Sequence, residues 1–471
     1  MTFSSLVFLC IFLPVVFLLH RAVPGIKAKN GLLIAASLLF YAFGEPVYVL
    51  LMIASAVLNY LAARALGAKK SKAVLALAVA ANLGILAVFK YTGFLVESVN
   101  RVFSLKIPVP AIALPIGISF FTFQALSYVI DVYRGQTQVQ KNFFRVLLYI
   151  SFFPQLIAGP IVKYRDIEER IAHRETDLGQ AALGMRRFIF GLAKKVLIAN
   201  TMAVAADAVF SAGAGQVNVL TAWIGALAYT MQIYFDFSGY SDMAIGMGKM
   251  FGFSFKENFD FPYAAASVRE FWRRWHISLS SWFKEYVYIP LGGNRRGTFH
   301  AGLNKWIVFF LCGLWHGANW TFVIWGLFHG LFSFLEEWIP GLRKLPRILG
   351  HIYTMLVVVV GFVIFRADTL GEACGMIGQM FAGFTFTPAQ MSFALMQLTP
   401  YFIVMFAAAV FFCGPAERLV KRLRAAGEEE QQGEVPKAAQ TVLYVIALIL
   451  LCWCVLRLSG GAYNPFIYFR F

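Results

Sequence analysis

The chain has 471 residues, of which 59% are hydrophobic and 14% charged, with a mean hydropathy of +0.69. Soluble globular proteins carry about a quarter charged residues, so this composition excludes a soluble fold and places most of the surface in lipid or inside a helical bundle. The net charge of +17 reads as positive-inside topology signals with attraction to anionic membrane lipid, or as a basic entrance for a polyanionic donor. The basic residues flank apolar runs rather than forming one stripe, which argues against nucleic acid as a partner.

Charged punctuation divides the apolar runs into expected spans at about 3–20, 31–43, 46–63, 73–89, 109–130, 181–210, 217–235, 304–335, 352–365, 396–413 and 441–457. These predict an all-α, polytopic membrane protein of about 10–12 spans forming a single domain over 1–471. Residues 1–20 lack a basic n-region and a clear cleavage site, and read as a retained first helix. Arg21, Lys27 and Lys29 mark one cytosolic loop and Lys69, Lys70 and Lys72 another, which puts the N-terminus on the outer side.

Residues 146–162 have basic residues at both ends, and Pro154, Gly159 and Pro160 interrupt them. A re-entrant segment is expected there, buried or lining a cavity. The charged stretch 163–178, Arg186-Arg187 and Lys194-Lys195 mark the cytosolic face. Residues 253–300, interrupted by Pro262, Pro290 and Gly292-Gly293 and by Arg269, Arg273, Arg274, Lys284, Arg295 and Arg296, read as interfacial helices dipping into the bundle. Residues 414–440, with Arg418, Lys421, Arg422, Arg424 and Glu428-Glu-Glu430, read as a cytosolic loop. One more span then puts the tail 463–471 on the outer side.

Two histidines stand in apolar surroundings: His276 in Phe271-Trp-Arg-Arg-Trp-His276 and His316 in Leu311-Cys-Gly-Leu-Trp-His316. An ionisable side chain at membrane depth is costly and points to function, and imidazole is the side chain best poised to move a proton near neutral pH. Acyl transfer from a thioester to an alcohol needs a base for the hydroxyl proton and donors for the oxyanion. His316 suits the first role, with Gly313 and Gly317 leaving room for other groups and Trp315 and Trp320 beside it. His276 suits the second, or belongs to an aromatic-basic interfacial anchor with Trp272, Arg273, Arg274 and Trp275.

His329, thirteen residues past His316, falls near the opposite face of a straight helix about 20 Å along its axis, and reads as structural. His20, His173, His300 and His351 lie at segment edges and read as solvated. Cys312, one turn before His316, reads as packing more readily than as a nucleophile. Asp236 and Asp242 flank Ser238-Gly239, and as buried carboxylates they need partners, which Arg273 or Arg274 would supply. They read as pocket-lining or ion-paired groups. The six cysteines show neither metal spacing nor a disulfide framework, and no metal or permanently bound cofactor is expected.

The motifs Phe152-Phe-Pro-Gln-Leu-Ile-Ala-Gly-Pro-Ile161, Asp236-Phe-Ser-Gly-Tyr-Ser-Asp-Met-Ala-Ile-Gly246, Glu270-Phe-Trp-Arg-Arg-Trp-His-Ile-Ser-Leu-Ser280 and Gly313-Leu-Trp-His-Gly-Ala318 resemble the membrane-bound O-acyltransferase (MBOAT) family. The likeness is to its bacterial branch of alginate and peptidoglycan O-acetyltransferases, related to the teichoic acid D-alanyl transferase. Runs at Pro115-Ile-Gly-Ile-Ser-Phe120 and Gln124-Ala-Leu-Ser-Tyr-Val-Ile-Asp131 extend it, so that about 115–335 forms the motif-bearing core.

The resemblance implies a helical bundle around a central tunnel that takes acetyl-CoA from the cytosol. It further implies His316 as the family's histidine, His276 as this branch's second histidine, and Trp315, Trp272, Arg273, Arg274, Asp236, Ser238, Asp242 and Asn319 as donor-binding or tunnel-lining candidates. The tail Phe466-Ile-Tyr-Phe469 resembles a C-terminal motif of the branch, which makes Tyr468 either an acyl relay or an aromatic interface anchor. The implied activity is O-acetylation of a cell-surface polysaccharide or peptidoglycan by an enzyme of the bacterial cell membrane, with a periplasmic acetyltransferase partner. The rival is a transporter or flippase with the histidines in its substrate pathway.

Overall fold

The computed structural model describes residues 1–157, 159–417, 419–422, 437–461 and 463–467. Helices carry the chain, and no strand occurs among these residues. The physical reason is that lipid offers backbone groups no partners, so each segment must satisfy its own. Among the described residues five helices are long and apolar enough to cross a membrane: Tyr48–Ala68, Lys72–Phe103, Leu178–Phe210, Arg347–Arg366 and Gln440–Ser459. A sixth follows if Pro388–Gln397 and Pro400–Cys413, bent by 62°, form one broken span. The protein is a polytopic helical membrane protein.

The chain divides into two compact units, Met1–Phe188 with Ser241–Lys256, and Ile189–Tyr240 with Glu257–Phe471. In the first, α1 (Phe8–Ala22), α2 (Ile26–Ala42), α3 (Tyr48–Ala68), α4 (Lys72–Phe103) and α5 (Ile118–Arg134) come first in the chain. The expected span 109–130 begins late, because Pro108, Pro110 and Pro115 cannot continue a helix. The segment expected to be re-entrant is broken into α6 (Phe143–Ser151) and the single turn Phe153–Leu156 with Pro154 in it. From Val146 to Leu156 its side chains are buried, the condition that irregular backbone at membrane depth must meet. His20 corrects one expectation: it is buried rather than solvated, with the Phe251 ring at 5.2 Å and the Arg174 guanidinium at 3.5 Å.

Both units share α7 (Leu178–Phe210) and α8 (Val219–Met250). In the second unit the broken stretch gives short helices α9 (Val268–Arg274) and α10 (Ile277–Phe283). The expected single span 304–335 is instead a hairpin of α11 (Thr298–His316) and α12 (Trp320–Trp338). A Cβ on Gly313 would stand 2.3 Å from the Phe322 carbonyl oxygen, so only glycine lets the two helices cross this closely. The helix α13 (Arg347–Arg366) follows, then Leu370–Ala382 and Pro388–Gln397, which lie outside the expected spans, and after Pro400–Cys413 the helix Lys437–Ser459.

Candidate active site

His316 is the last residue of α11, where the chain leaves the helix through an extended Gly317. Asn319 starts α12 by accepting the Thr321 N–H at 3.0 Å, and its own amide donates to the Asp368 carbonyl at 2.9 Å. Both ends of that amide therefore hold the turn that aims His316. The imidazole is enclosed edge-on by Trp315, Trp325 and Phe365, with ring centroids 5.0, 5.1 and 5.2 Å away.

His316 lines a cavity of about 20 Å³ together with Ile233, Phe237, Trp275, Trp325, Phe362, Phe365 and Ile467. That is room for about one water molecule. Such walls give a proton acceptor a dry environment, and electrostatic interactions inside it are strengthened. Trp325 is buried, and its indole N–H has no acceptor among the described residues.

His276 stands behind this wall. Its ring meets Phe237 at 4.6 Å and Trp315 at 6.1 Å, so Trp315 packs against both histidines. The backbone of His276 is left-handed, φ 44° and ψ 54°, a conformation that costs a non-glycine residue about 1–2 kcal/mol. Asn258 holds it there. The Asn258 carbonyl accepts the Ile277 N–H at 2.9 Å, and its side-chain oxygen lies 3.2 Å from His276 Nδ1. That oxygen also accepts the Ser278 N–H at 3.1 Å and hydroxyl at 2.8 Å. An acceptor beside Nδ1 places the imidazole proton there and leaves Nε2, which is buried with no partner among the described residues, as the basic nitrogen. Burial holds the imidazole neutral, pushing its pKa from 6.5 down to about 3.

The helix α9 is set by Glu336, whose carboxylate accepts the N–H groups of Val268 and Arg269 at 2.7 and 3.0 Å, a charge well placed at a helix N-terminus. On this helix Trp272 packs against Phe309, Trp325 and His329. Arg273 is exposed, and Arg274 pairs with Glu270 at 2.8 Å and Glu417 at 3.4 Å.

The structure therefore corrects the expected partners of the two aspartates. Asp236 pairs with Lys195 at 3.1 Å, while Asp242 lies in the other unit with Arg187 at 2.8 Å. Lys195 is itself buried rather than a marker of the cytosolic face. Ser238 is buried near Asp236 in sequence, and Cys312 is buried one turn before His316. The straight-helix premise for His329 also fails: the turn at 317–319 folds the chain back, and His329 packs on Trp325 at 5.2 Å, the ring that His316 meets at 5.1 Å. Tyr468 lies outside the described residues, and Ile467, the residue before it, is in the cavity wall.

Asn258, Trp325, Lys195 and Ile467 escape a reading of the sequence. Only Lys195 leaves a signal there: a lysine inside an apolar run, with a carboxylate inside another, asks for pairing.

Fold and site together define an integral-membrane helical protein with a buried histidine in an aromatic cavity. The chain belongs to the membrane-bound O-acyltransferase (MBOAT) family, whose pattern matches residues 136–379, and it is an O-acyltransferase. That decides against the transporter reading. It is 40% identical to a probable alginate O-acetylase AlgI of Azotobacter vinelandii over all of both chains. It is 38% identical to a peptidoglycan O-acetyltransferase of Helicobacter pylori, over 80% of each. With the teichoic acid D-alanyltransferase of Bacillus subtilis it shares 30% identity over 53% of this chain and 68% of that one.

Proposed function

We propose that the protein moves an acetyl group from cytosolic acetyl-CoA toward a hydroxyl of a cell-surface polymer, an alginate-like polysaccharide or peptidoglycan, across the bacterial cell membrane. His316 takes the proton of the attacking hydroxyl. The new C–O bond forms as the C–S bond breaks, and the CoA sulfur leaves and takes up that proton. Full-length similarity to an alginate O-acetylase and 80% coverage by a peptidoglycan O-acetyltransferase support the acetyl group and the polymer class.

The observation that carries this reading is the cavity shared by His316 and Ile467. It brings Ile467 beside the base, which supports Tyr468, the next residue in the chain, as the first acceptor. Its phenol would become an aryl acetate, and a periplasmic partner transferase would pass the acetyl to the polymer hydroxyl. The Trp325 N–H supplies a donor for the oxyanion, while His276, whose Nε2 carries no proton, orients the aromatic wall beside the base. Exposed basic residues such as Arg273 would meet the CoA phosphates.

The test is purified protein in proteoliposomes with acetyl-labelled CoA. Wild-type protein consumes the thioester and acquires label, His316→Gln loses about 10²–10⁴-fold in rate, and Tyr468→Phe acquires none. Label acquisition unaffected by either change defeats the reading.

A further inference from the structure

Residues 463–467 run antiparallel to the second half of α7. Tyr463 donates its hydroxyl to Asp207 at 2.8 Å, Asn200 donates to the Asn464 side chain at 3.1 Å, and the Lys195 ammonium donates to the Pro465 carbonyl. From Asp207 to Lys195 this is about 18 Å of helix at 1.5 Å per residue. At its inner end the Ile467 N–H donates to Asp236 at 3.0 Å, and the Phe466 ring lies on Tyr240 at 3.9 Å. The Ile467 side chain reaches the wall of the His316 cavity.

Lys195 and Asp236 are each about 1% exposed. A buried ion pair is weak evidence for stability, since apolar replacements often serve as well. Here each partner also makes a second contact, in which the ammonium holds a tail carbonyl and the carboxylate holds a tail amide. Lys195 also lies in a π-helical turn, Lys194–Ala199, a local widening of the helix that recurs at functional sites. The close approach of α8 that brings Asp236 within reach depends on Gly239, where a Cβ would stand 2.8 Å from the Gly191 carbonyl.

We propose that Lys195 and Asp236 form a latch that positions the tail at the histidine cavity. Neither residue lines the cavity, so both are positioning residues. Because the latch grips backbone groups, it sets the depth of the tail independently of the side chains that the tail carries. Its consequence for acyl transfer rests on the function proposed above, whereas the latch itself has its own readout.

The test uses full-length protein in proteoliposomes. Ile467→Cys, probed with a membrane-permeant maleimide and read by peptide mapping, reports tail docking, and transfer from labelled acetyl-CoA reports chemistry. Lys195→Met is expected to raise labelling and to lower transfer, each about tenfold, the worth of one charge-assisted hydrogen bond. The exchange Lys195→Asp with Asp236→Lys keeps the ion pair but turns donor toward donor and acceptor toward acceptor at the tail, and it is expected to behave like Lys195→Met. Ile467→Pro, which removes the tail N–H and fixes the local φ without changing a bundle residue, is expected to transfer at least about tenfold more slowly than Ile467→Ala. Rescue by the charge exchange, or unchanged labelling in Lys195→Met, overturns the latch. Increased labelling in Lys195→Met, beside wild-type protein that transfers no acetyl, upholds the latch and overturns the proposed function.

Discussion

Replacing Asn258 with Ala removes one oxygen on which three donors converge: the Ser278 N–H, the Ser278 hydroxyl and, in the tautomer assigned above, His276 Nδ1–H. All of these residues are buried, so water does not make good the loss. Each hydrogen bond contributes about 1 kcal/mol net, and each orphaned buried group costs about 1–3 kcal/mol. The Ser278 hydroxyl can turn elsewhere, while two N–H groups lose this acceptor, a destabilisation of about 2–6 kcal/mol.

The main-chain bond from Ile277 to the Asn258 carbonyl survives, so the turn persists while the imidazole loses its fixed tautomer. Thermal melting in detergent should show the stability loss. Transfer from labelled acetyl-CoA, measured well below the melting transition, should fall in kcat more than it rises in KM. Asn258→Asp keeps the acceptor and should retain more activity than Asn258→Ala. A variant Asn258→Ala with wild-type kcat would refute the role of this oxygen in setting His276.

Trp325→Phe replaces the indole with a smaller aromatic ring and removes the buried N–H; if that donor meets the oxyanion, kcat falls about 10²–10³-fold, and unchanged kcat removes it from the mechanism. Gly313→Ala drives a Cβ to 2.3 Å from the Phe322 carbonyl and should cost about 1–3 kcal/mol, read as a lower melting temperature and reduced membrane yield. Because burial lowers the His276 pKa from 6.5 to about 3, protonation favours the unfolded chain. The stability contribution is therefore full above pH 6.5 and declines as the pH falls toward 3. Melting curves of wild type and His276→Gln across that window should converge at low pH, and parallel curves would contradict the assignment.

Much of the molecule is legible in the sequence because lipid imposes a one-dimensional rule: each crossing segment must be apolar and helical. Composition alone excludes a soluble fold, and several expected spans fall on observed helices. The cost of an imidazole in apolar chain likewise singles out His316 and His276 without any structure. The rule fails where a segment turns inside apolar surroundings. Within the run 304–335 only Gly317 and Asn319 hint at a break, and whether the chain folds back there into a hairpin depends on packing between Gly313 and Phe322.

Pairing was equally out of reach. Asp236 lies 41 positions after Lys195, and which basic residue it meets depends on how α7 and α8 are brought together at Gly191 and Gly239. Ile467 lies 151 positions after His316, yet they share a cavity. The sequence by itself determined the solvent, the helical class and the residues too costly to be idle. Only the tertiary structure decided which of them meet, because burial cost belongs to a single residue whereas a partner is a property of two segments folded together.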